Sequence, residues 1–187
     1  MTDYYDTPRV TIIGTSGRGK DALLLSPPLY PKMVKAAMRF IASLCPPRKV
    51  RLVSSGLPWS GHIPVTLFNT GVGRDLLIYA PVRFDVFRYT FSAKKRSPDE
   101  MNDRYDIFSM VMGRDMKQEV TTAISNGARI VNEDLGLYLA SRRASESEHV
   151  VAFSCGQSHR NPTTRWAKYC WRKAEGMQRH IIRIKDL

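Results

Sequence analysis

Short apolar segments alternate with amphipathic segments along most of this chain. The apolar segments are rich in Val and Ile and are bounded by Gly, Ser or Pro, which is typical of buried strands. The amphipathic segments repeat apolar side chains at helical spacing. The pattern predicts strands beginning at Arg9 and at 50–54, 74–80, 128–131, 149–154 and 180–184, and helices at 32–44, 62–68, 101–112, 115–125, 135–143 and 163–175.

This alternation predicts an α/β fold of the Rossmann-like type, with a mostly parallel sheet of about six strands and helices on both faces. We expect one domain, 1–187, in which the polar and aromatic stretch 83–103 is an excursion loop. Ligands of such sheets bind beyond the carboxyl ends of the strands, where the strand order reverses. The turns after the first strand, the second strand and strand 149–154 should therefore converge.

The first strand ends in a glycine-rich, basic turn, which can offer backbone N–H groups to an anion. Gly14, Gly19 and Lys20 match the core of a phosphate loop, but Asp21 stands where that motif needs a hydroxyl. The turn also fits a dinucleotide fingerprint, although no acidic residue follows the second strand to bind a ribose. Both a P-loop NTPase and classical NAD binding are therefore disfavoured. The candidate phosphate-binding residues of this turn are Gly14, Thr15, Ser16, Gly17, Arg18, Gly19 and Lys20.

The turn after the second strand is a further candidate. Ser55 and Gly56 form a tight turn, Trp59 offers an aromatic plane for a base, and His62 is a titratable donor at the start of a helix. A purely structural interpretation competes with this one. In it, Trp59 packs the helix against the sheet and His62 is a hydrogen-bonded core residue.

Several short stretches of the chain together resemble the motifs of one known superfamily. They are Gly14-Thr15-Ser16, Ser54-Ser55-Gly56 with Trp59 and His62, Tyr105-x-x-Phe108, Gly113-Arg114-Asp115, Gly127-Ala128, Ser154-Cys155-Gly156 and Trp171-x-x-Ala174. In these the chain resembles the SLOG superfamily of Rossmann-like domains, which includes the DNA-processing protein DprA and the cytokinin-activating LOG enzymes. The resemblance implies nucleotide binding. LOG enzymes carry a Pro-Gly-Gly-x-Gly-Thr-x-x-Glu signature, and segment 156–164 lacks its glycines and its Glu, so fold and nucleotide binding carry over better than catalysis.

Further site candidates lie in the second half of the chain. Hydroxyl groups at a helix N-terminus can hold a phosphate, although Thr163 could equally be a helix cap. An arginine near the start of strand 149–154 could close over the ligand. These binding candidates are Arg142, Arg143, Gly156, Thr163 and Thr164.

Composition and charge add a preference for an anionic partner. The formal net charge is +12, and half of this excess lies in 160–187. Three cysteines at irregular spacing argue against a disulfide framework and fit a reducing compartment, and no metal site is expected. The chain has no apolar run of membrane-spanning length and no signal-peptide character, so we expect a cytoplasmic protein that does not contact a membrane.

The leading functional hypothesis is a protein that binds a nucleotide or a nucleotide derivative. It would either hydrolyse the N-glycosidic bond of a nucleoside monophosphate, with Glu133 or Asp134 as candidate acids, or sequester or sense a signalling nucleotide. No cofactor is required beyond the bound nucleotide. The alternative is a single-stranded nucleic-acid-binding protein of the DprA type, and a structural or partner-binding protein is less favoured. A homo-oligomer is expected by analogy alone.

Overall fold

A computed structural model describes residues 7–17, 19–92, 99–131, 133, 135–156, 160–162 and 165–187, with the backbone alone for Lys20 and Trp166. In these residues the strands are β1 (Arg9–Gly14), β2 (Arg51–Ser54), β3 (Asp75–Tyr79), β4 (Arg83–Asp85), β5 (Thr90–Ser92), β6 (Arg129–Val131), β7 (His149–Ser154) and β8 (Gln178–Arg183). The α-helices are α1 (Leu29–Leu44), α2 (Ile63–Asn69), α3 (Asp99–Met112), α4 (Met116–Ser125), α5 (Gly136–Ala144) and α6 (Arg165–Lys173).

Six of the strands form one parallel sheet in the order β6-β3-β2-β1-β7-β8, which confirms the predicted fold class. β1 lies in the middle, where Thr11 pairs with Val53 of β2 on one side and with Val150 of β7 on the other. The chain builds outwards from β1 through β2 and β3 to β6, and then returns to add β7 on the opposite side of β1. The strand order therefore reverses between β1 and β7, which places the expected binding crevice at their carboxyl ends.

Helices cover both faces of this sheet because the strands are apolar on both sides. Val10 and Ile12 of β1 and Val151 and Phe153 of β7 belong to the large core that α1, α2, α3 and α4 complete. The alternate positions Ile13, Val150 and Ala152 belong to a smaller core under α6. This side-to-side alternation is the period of two that a strand imposes on its side chains.

The segment predicted as an excursion loop, 83–103, is more regular than expected. β4 and β5 form an antiparallel hairpin separate from the main sheet, and α3 already begins at Asp99. Phe84 and Phe91 face each other across the hairpin, with ring centroids 4.9 Å apart, and Phe91 also packs 5.1 Å from Tyr105 of α3. The hairpin is thus held on α3 by aromatic packing. Residues 93–98, including the basic Lys94-Lys95-Arg96 segment, lie outside the described residues.

Two helix boundaries show how local chemistry sets the elements. The spacing predicts a start at 32 for α1, but this helix begins at Leu29, because Pro31 falls in its first turn, where no backbone donor is needed. α4 begins after Asp115, whose carboxylate accepts hydrogen bonds from the N–H groups of Lys117 and Gln118 at 2.9 and 3.1 Å. None of the described helices has the length and apolar character needed to cross a membrane.

Candidate functional site

The turns after β1 and β2 meet at the carboxyl edge of the sheet, and glycine makes their approach possible. The N–H of Ser60 donates to the carbonyl oxygen of Thr15 at 3.2 Å. Gly17 has a φ of +78°, and a Cβ added there would lie 2.8 Å from Nε1 of Trp59. The convergence expected for these two turns is therefore present, and a larger residue at Gly17 would separate them.

The turns after β2 and β7 contain the same type of local hydrogen bond. Each strand ends in a serine followed two residues later by glycine. The Gly56 N–H donates to Oγ of Ser54 at 3.0 Å, and the Gly156 N–H donates to Oγ of Ser154 at 3.2 Å. Each bond closes a serine turn at the carboxyl end of its strand.

The space enclosed by the first two turns is very small. A cavity of about 10 Å³ lies between them and the inner faces of α5 and α6, lined in part by Gly14, Thr15, Ser16, Ser55 and Ser141. That volume accommodates about one water molecule. The hydroxyl of Ser60 is buried nearby and has no hydrogen-bond partner in the described part of the chain. These residues line a close contact between the turns and do not enclose a ligand-sized space.

Trp59 does not present a stacking plane in this conformation. Its side chain is 4% exposed, and its ring packs 4.8 Å from Phe108 and 6.0 Å, edge to face, from Tyr30. Its backbone has a φ of +58°, which is uncommon for a residue with a side chain. In this placement the indole is packed against Tyr30 of α1 and Phe108 of α3, so it is not open to a base.

His62 lies inside a buried polar network. The imidazole is 0% exposed, with Nε2 3.1 Å from Oε2 of Glu119 and Nδ1 3.3 Å from Oη of Tyr105. Tyr105 in turn donates to the carbonyl oxygen of Gly56 at 3.2 Å. Glu119 also accepts from Thr66 at 3.0 Å. This placement corresponds to the structural interpretation of His62, because the network ties α2 and α4 to the turn after β2.

Burial and hydrogen bonding have opposite effects on the titration of this network. Burial lowers the pKa of His62, and the neighbouring Glu119 carboxylate only partly offsets that effect. For Glu119, burial acts to raise the pKa, but hydrogen bonds from His62 and Thr66 together with the charge of Arg114 bring it below its ordinary value. Arg114 reaches the other carboxylate oxygen, with its Nη1 3.1 Å from Oε1. No local sequence pattern indicated the pairing of Glu119 with His62.

The crevice between β1 and β7 contains a carboxylate and a thiol that sequence reasoning did not assign to the site. Burial raises the pKa of the Cys155 thiol to about 12, and the charge and hydrogen bonding of the Asp21 carboxylate act in the same direction, while Thr15 opposes them. One oxygen of Asp21, Oδ2, is buried and has no hydrogen-bond partner among the residues that the structure describes. Asp21, Thr15 and Cys155 therefore form a polar cluster at the point where the strand order reverses.

A cavity of about 320 Å³ opens beside this cluster. Cys155 forms one part of its wall, and the rest comes from the segment around the start of α1 and from the last residues of the chain. Lys32 and Lys185 supply positive charge, while the apolar lining is made by Leu24, Leu29, Ile184 and Leu187. A volume above about 300 Å³ is typical of pockets for small organic ligands. This space, and not the contact between the first two turns, has the size of a ligand site.

The other predicted site residues are spread along the carboxyl edge or away from it. The Glu133 side chain is 70% exposed, follows β6 at the far end of the sheet from β7, and has Oε2 3.8 Å from Nη1 of Arg143. Arg142 faces Glu146 in the next turn at 3.9 Å. Neither arginine lines the cavities described above, so their predicted closure over a ligand is not supported by this conformation. Arg18, Asp134, Thr163, Thr164 and the side chain of Lys20 lie outside the described residues, and Gly19 is exposed with a φ of +57°.

The fold and the crevice define a Rossmann-like α/β protein. In comparisons with known proteins, no family model, curated protein or solved structure matches the chain. The resemblance to the SLOG superfamily therefore stays a prediction based on the short motifs, and any functional assignment depends on the chemistry of the site itself.

Proposed function

We propose that this protein binds a nucleotide or another phosphorylated small molecule in the crevice between β1 and β7. The observation that carries the proposal is the 320 Å³ cavity at the carboxyl ends of β7 and β8, where Cys155 joins it to the polar cluster with Asp21 and Thr15 next to the reversal of the strand order. In open parallel sheets this is the position where ligands bind. The predicted SLOG resemblance points to the same chemistry but is not needed for the proposal.

The lining of the cavity supports a ligand with a charged part and an apolar part. Lys32 and Lys185 would attract a phosphate group. Leu24, Leu29 and Ile184 would pack against a base or a similar flat body. The net charge of +12 would favour the approach of an anion.

Asp21 determines where the phosphate can lie. Its carboxylate lies beside Cys155 and would repel an anion placed directly over it, so the phosphate belongs towards the two lysines. The buried Oδ2 of Asp21 could instead accept a hydrogen bond from a ligand hydroxyl, such as that of a ribose. If the protein hydrolyses an N-glycosidic bond, Asp21 is better placed for acid–base work than the exposed Glu133. The Cys155 thiol would not act as a nucleophile, because its raised pKa keeps it protonated.

The proposal is tested by identifying small molecules released when the purified protein is denatured, followed by calorimetric titration with nucleoside monophosphates. Replacing Lys32 or Lys185 with Met should weaken binding about tenfold, because each removes a charge-assisted hydrogen bond to phosphate. Lys35→Met on the exposed surface of the same helix is the matched control. If neither lysine variant changes the affinity, the phosphate does not bind here. If no nucleotide is released or bound, the proposed function is wrong.

A second function, the binding of single-stranded nucleic acid, is favoured by one separate surface. α6 and β8 expose a group of cations at one end of the sheet: Arg165, Lys168, Arg172, Lys173 and Arg179. Near them, the rings of Tyr138 and Tyr169 meet edge to face at 5.1 Å. Cations track a phosphate backbone and make the affinity strongly dependent on salt. Reversing the charge of Arg172 and Lys173 together should then abolish oligonucleotide binding at low salt. The same variant should still bind a nucleotide in the crevice. If it binds the oligonucleotide as well as the unmodified protein does, the second function is excluded.

A further inference from the structure

A third cavity lies at the carboxyl end of β3, separate from the crevice between β1 and β7. Its volume is about 150 Å³, and its walls come from the segment after β3, the first two turns of α3 and the start of α5. The N–H of Gly136 donates to the carbonyl oxygen of Pro81 at 2.7 Å, which ties two of these walls together. This bond fixes the start of α5 against the segment after β3.

The lining of this cavity is apolar except at one end. Val82, Met101 and Leu137 contribute hydrocarbon surface, and Arg104 and Glu100 contribute the charged end. A cavity of about 150 Å³ lined by apolar side chains holds a molecule of about the size of benzene. The space thus fits a short hydrocarbon body with one polar group.

Arg104 is an unusually enclosed cation for a residue beside a cavity. Its side chain is 11% exposed, and its Nη2 donates to Oε1 of Glu100 at 2.5 Å. Nη1 is buried and has no hydrogen-bond acceptor in the described part of the chain. Burial lowers the pKa of the guanidinium, which nonetheless stays protonated because its ordinary pKa is so high. A buried guanidinium N–H without an acceptor is costly, and a ligand that supplies one removes this cost.

We propose that this cavity binds a small monocarboxylic acid, with its carboxylate on Arg104 and its short hydrocarbon body among Val82, Met101 and Leu137. Guanidinium and carboxylate pair in a planar, two-pronged geometry, so a small turn of the guanidinium towards the cavity would place Nη1 and Nη2 on one ligand carboxylate. The carboxylate of Glu100 competes for the same cation. Its negative charge also disfavours a dianion such as phosphate, which would bring twice the repulsion and no apolar body.

Titration with isovalerate near pH 7.5, followed by calorimetry or by ligand-observed NMR, tests the proposal. We expect a dissociation constant on the order of 0.1–1 mM for a ligand of this size. Arg104→Met should weaken binding roughly tenfold or more. Glu100→Gln should strengthen it about twofold to fivefold, because it removes the competing charge. Arg88→Met, on the exposed hairpin, should leave binding unchanged.

A second pair of variants and an uncharged ligand distinguish binding in this cavity from non-specific attraction of an anion. Leu137→Phe should block the cavity while leaving Arg104 in place, and Leu139→Phe on the same helix is its control, so the proposal remains testable if Arg104→Met does not fold. Isovaleramide, the uncharged analogue, should bind much more weakly than isovalerate. No detectable binding of isovalerate, equal binding of isovaleramide or of inorganic phosphate, or stronger binding in Arg104→Met would each overturn the proposal. Nucleotide binding should be the same in all these variants, because the crevice between β1 and β7 is not part of this cavity.

Discussion

Removal of the Glu119 side chain is the most direct test of the buried network around His62. Glu119 is 19% exposed in its side chain, and its Oε2 accepts from Nε2 of His62 and the hydroxyl of Thr66 at 3.1 and 3.0 Å. Nη1 of Arg114 lies 3.1 Å from the other oxygen, Oε1, as an ion pair. In Glu119→Ala, the buried imidazole N–H and the Thr66 hydroxyl lose their acceptor. Each unsatisfied buried donor costs about 1–3 kcal/mol.

We expect the free energy of unfolding to fall by about 3 kcal/mol in Glu119→Ala. This figure corresponds to two donors left without an acceptor, and the loss of the Arg114 contact adds little because Arg114 is half exposed and solvent screens it. Glu119→Gln keeps one acceptor oxygen and should cost about half as much. The matched control is Glu146→Ala, whose side chain is 63% exposed and lies 3.9 Å from Arg142, and which should cost less than about 0.5 kcal/mol.

Urea unfolding at pH 7.5, monitored by circular dichroism, measures these differences in stability. They should appear as shifts of the urea concentration at the unfolding midpoint, with the same dependence of the unfolding free energy on urea concentration in every variant. The reasoning is refuted if Glu119→Ala is no less stable than Glu146→Ala. A decrease in the slope of unfolding free energy against urea concentration, with no change of the midpoint, would also contradict it. That result would indicate a change of the denatured state and not a lost native contact.

Three further outcomes are expected. Gly14→Ala should destabilise the fold by about 3 kcal/mol or more in the same assay. The reason is that Gly14 has a φ of +142° and that a Cβ there would overlap the carbonyl oxygen of Phe153. A loss of stability below about 1 kcal/mol would contradict this close approach. Because the pKa of His62 is lowered by folding from an ordinary value of 6.5, the unfolded state takes up the proton first as the pH falls, so stability should decrease below about pH 6.5. The lowered pKa of Glu119 should extend that loss below about pH 4.5, and His62→Gln should flatten the part between these values. In a variant that keeps Cys155 as its only cysteine, the thiol should react with iodoacetamide at pH 8 at least about a hundredfold more slowly than free cysteine, and a normal rate would show that its pKa is not raised.

Much of the fold could be predicted because its elements are specified by neighbouring residues. Runs such as Val150-Val151-Ala152-Phe153 are apolar at every position, which is typical of strands covered on both faces. Asp115 marked the start of α4 because a short carboxylate can accept from nearby backbone donors without tertiary help. The start of α1 differed from its predicted position because a proline is tolerated in the first turn of a helix but disrupts the helix further inside.

The candidate site was harder to predict because it depends on which side chains are buried. Trp59 and His62 belong to residue types that are common in binding sites, yet both are enclosed by α1, α3 and α4. Conversely, Asp21 counted against a phosphate loop in the sequence, and the structure brings it to Cys155 in the crevice. Nothing in the local pattern around Lys32 or Lys185 indicated that they line one cavity.

The sequence by itself determined the alternation of strands and helices, the positions of the glycine turns and the basic character of the C-terminal segment, because these follow from local spacing and composition. Only the tertiary structure decided that His62 pairs with Glu119, 57 positions away, and that the ligand-sized space lies between the start of α1 and the last residues of the chain. The physical reason is that burial and pKa depend on neighbours brought together by the order of the strands. The glycine-rich turn after β1 therefore does not define the candidate site by itself, because the lysines and the volume of the 320 Å³ cavity come from distant parts of the chain.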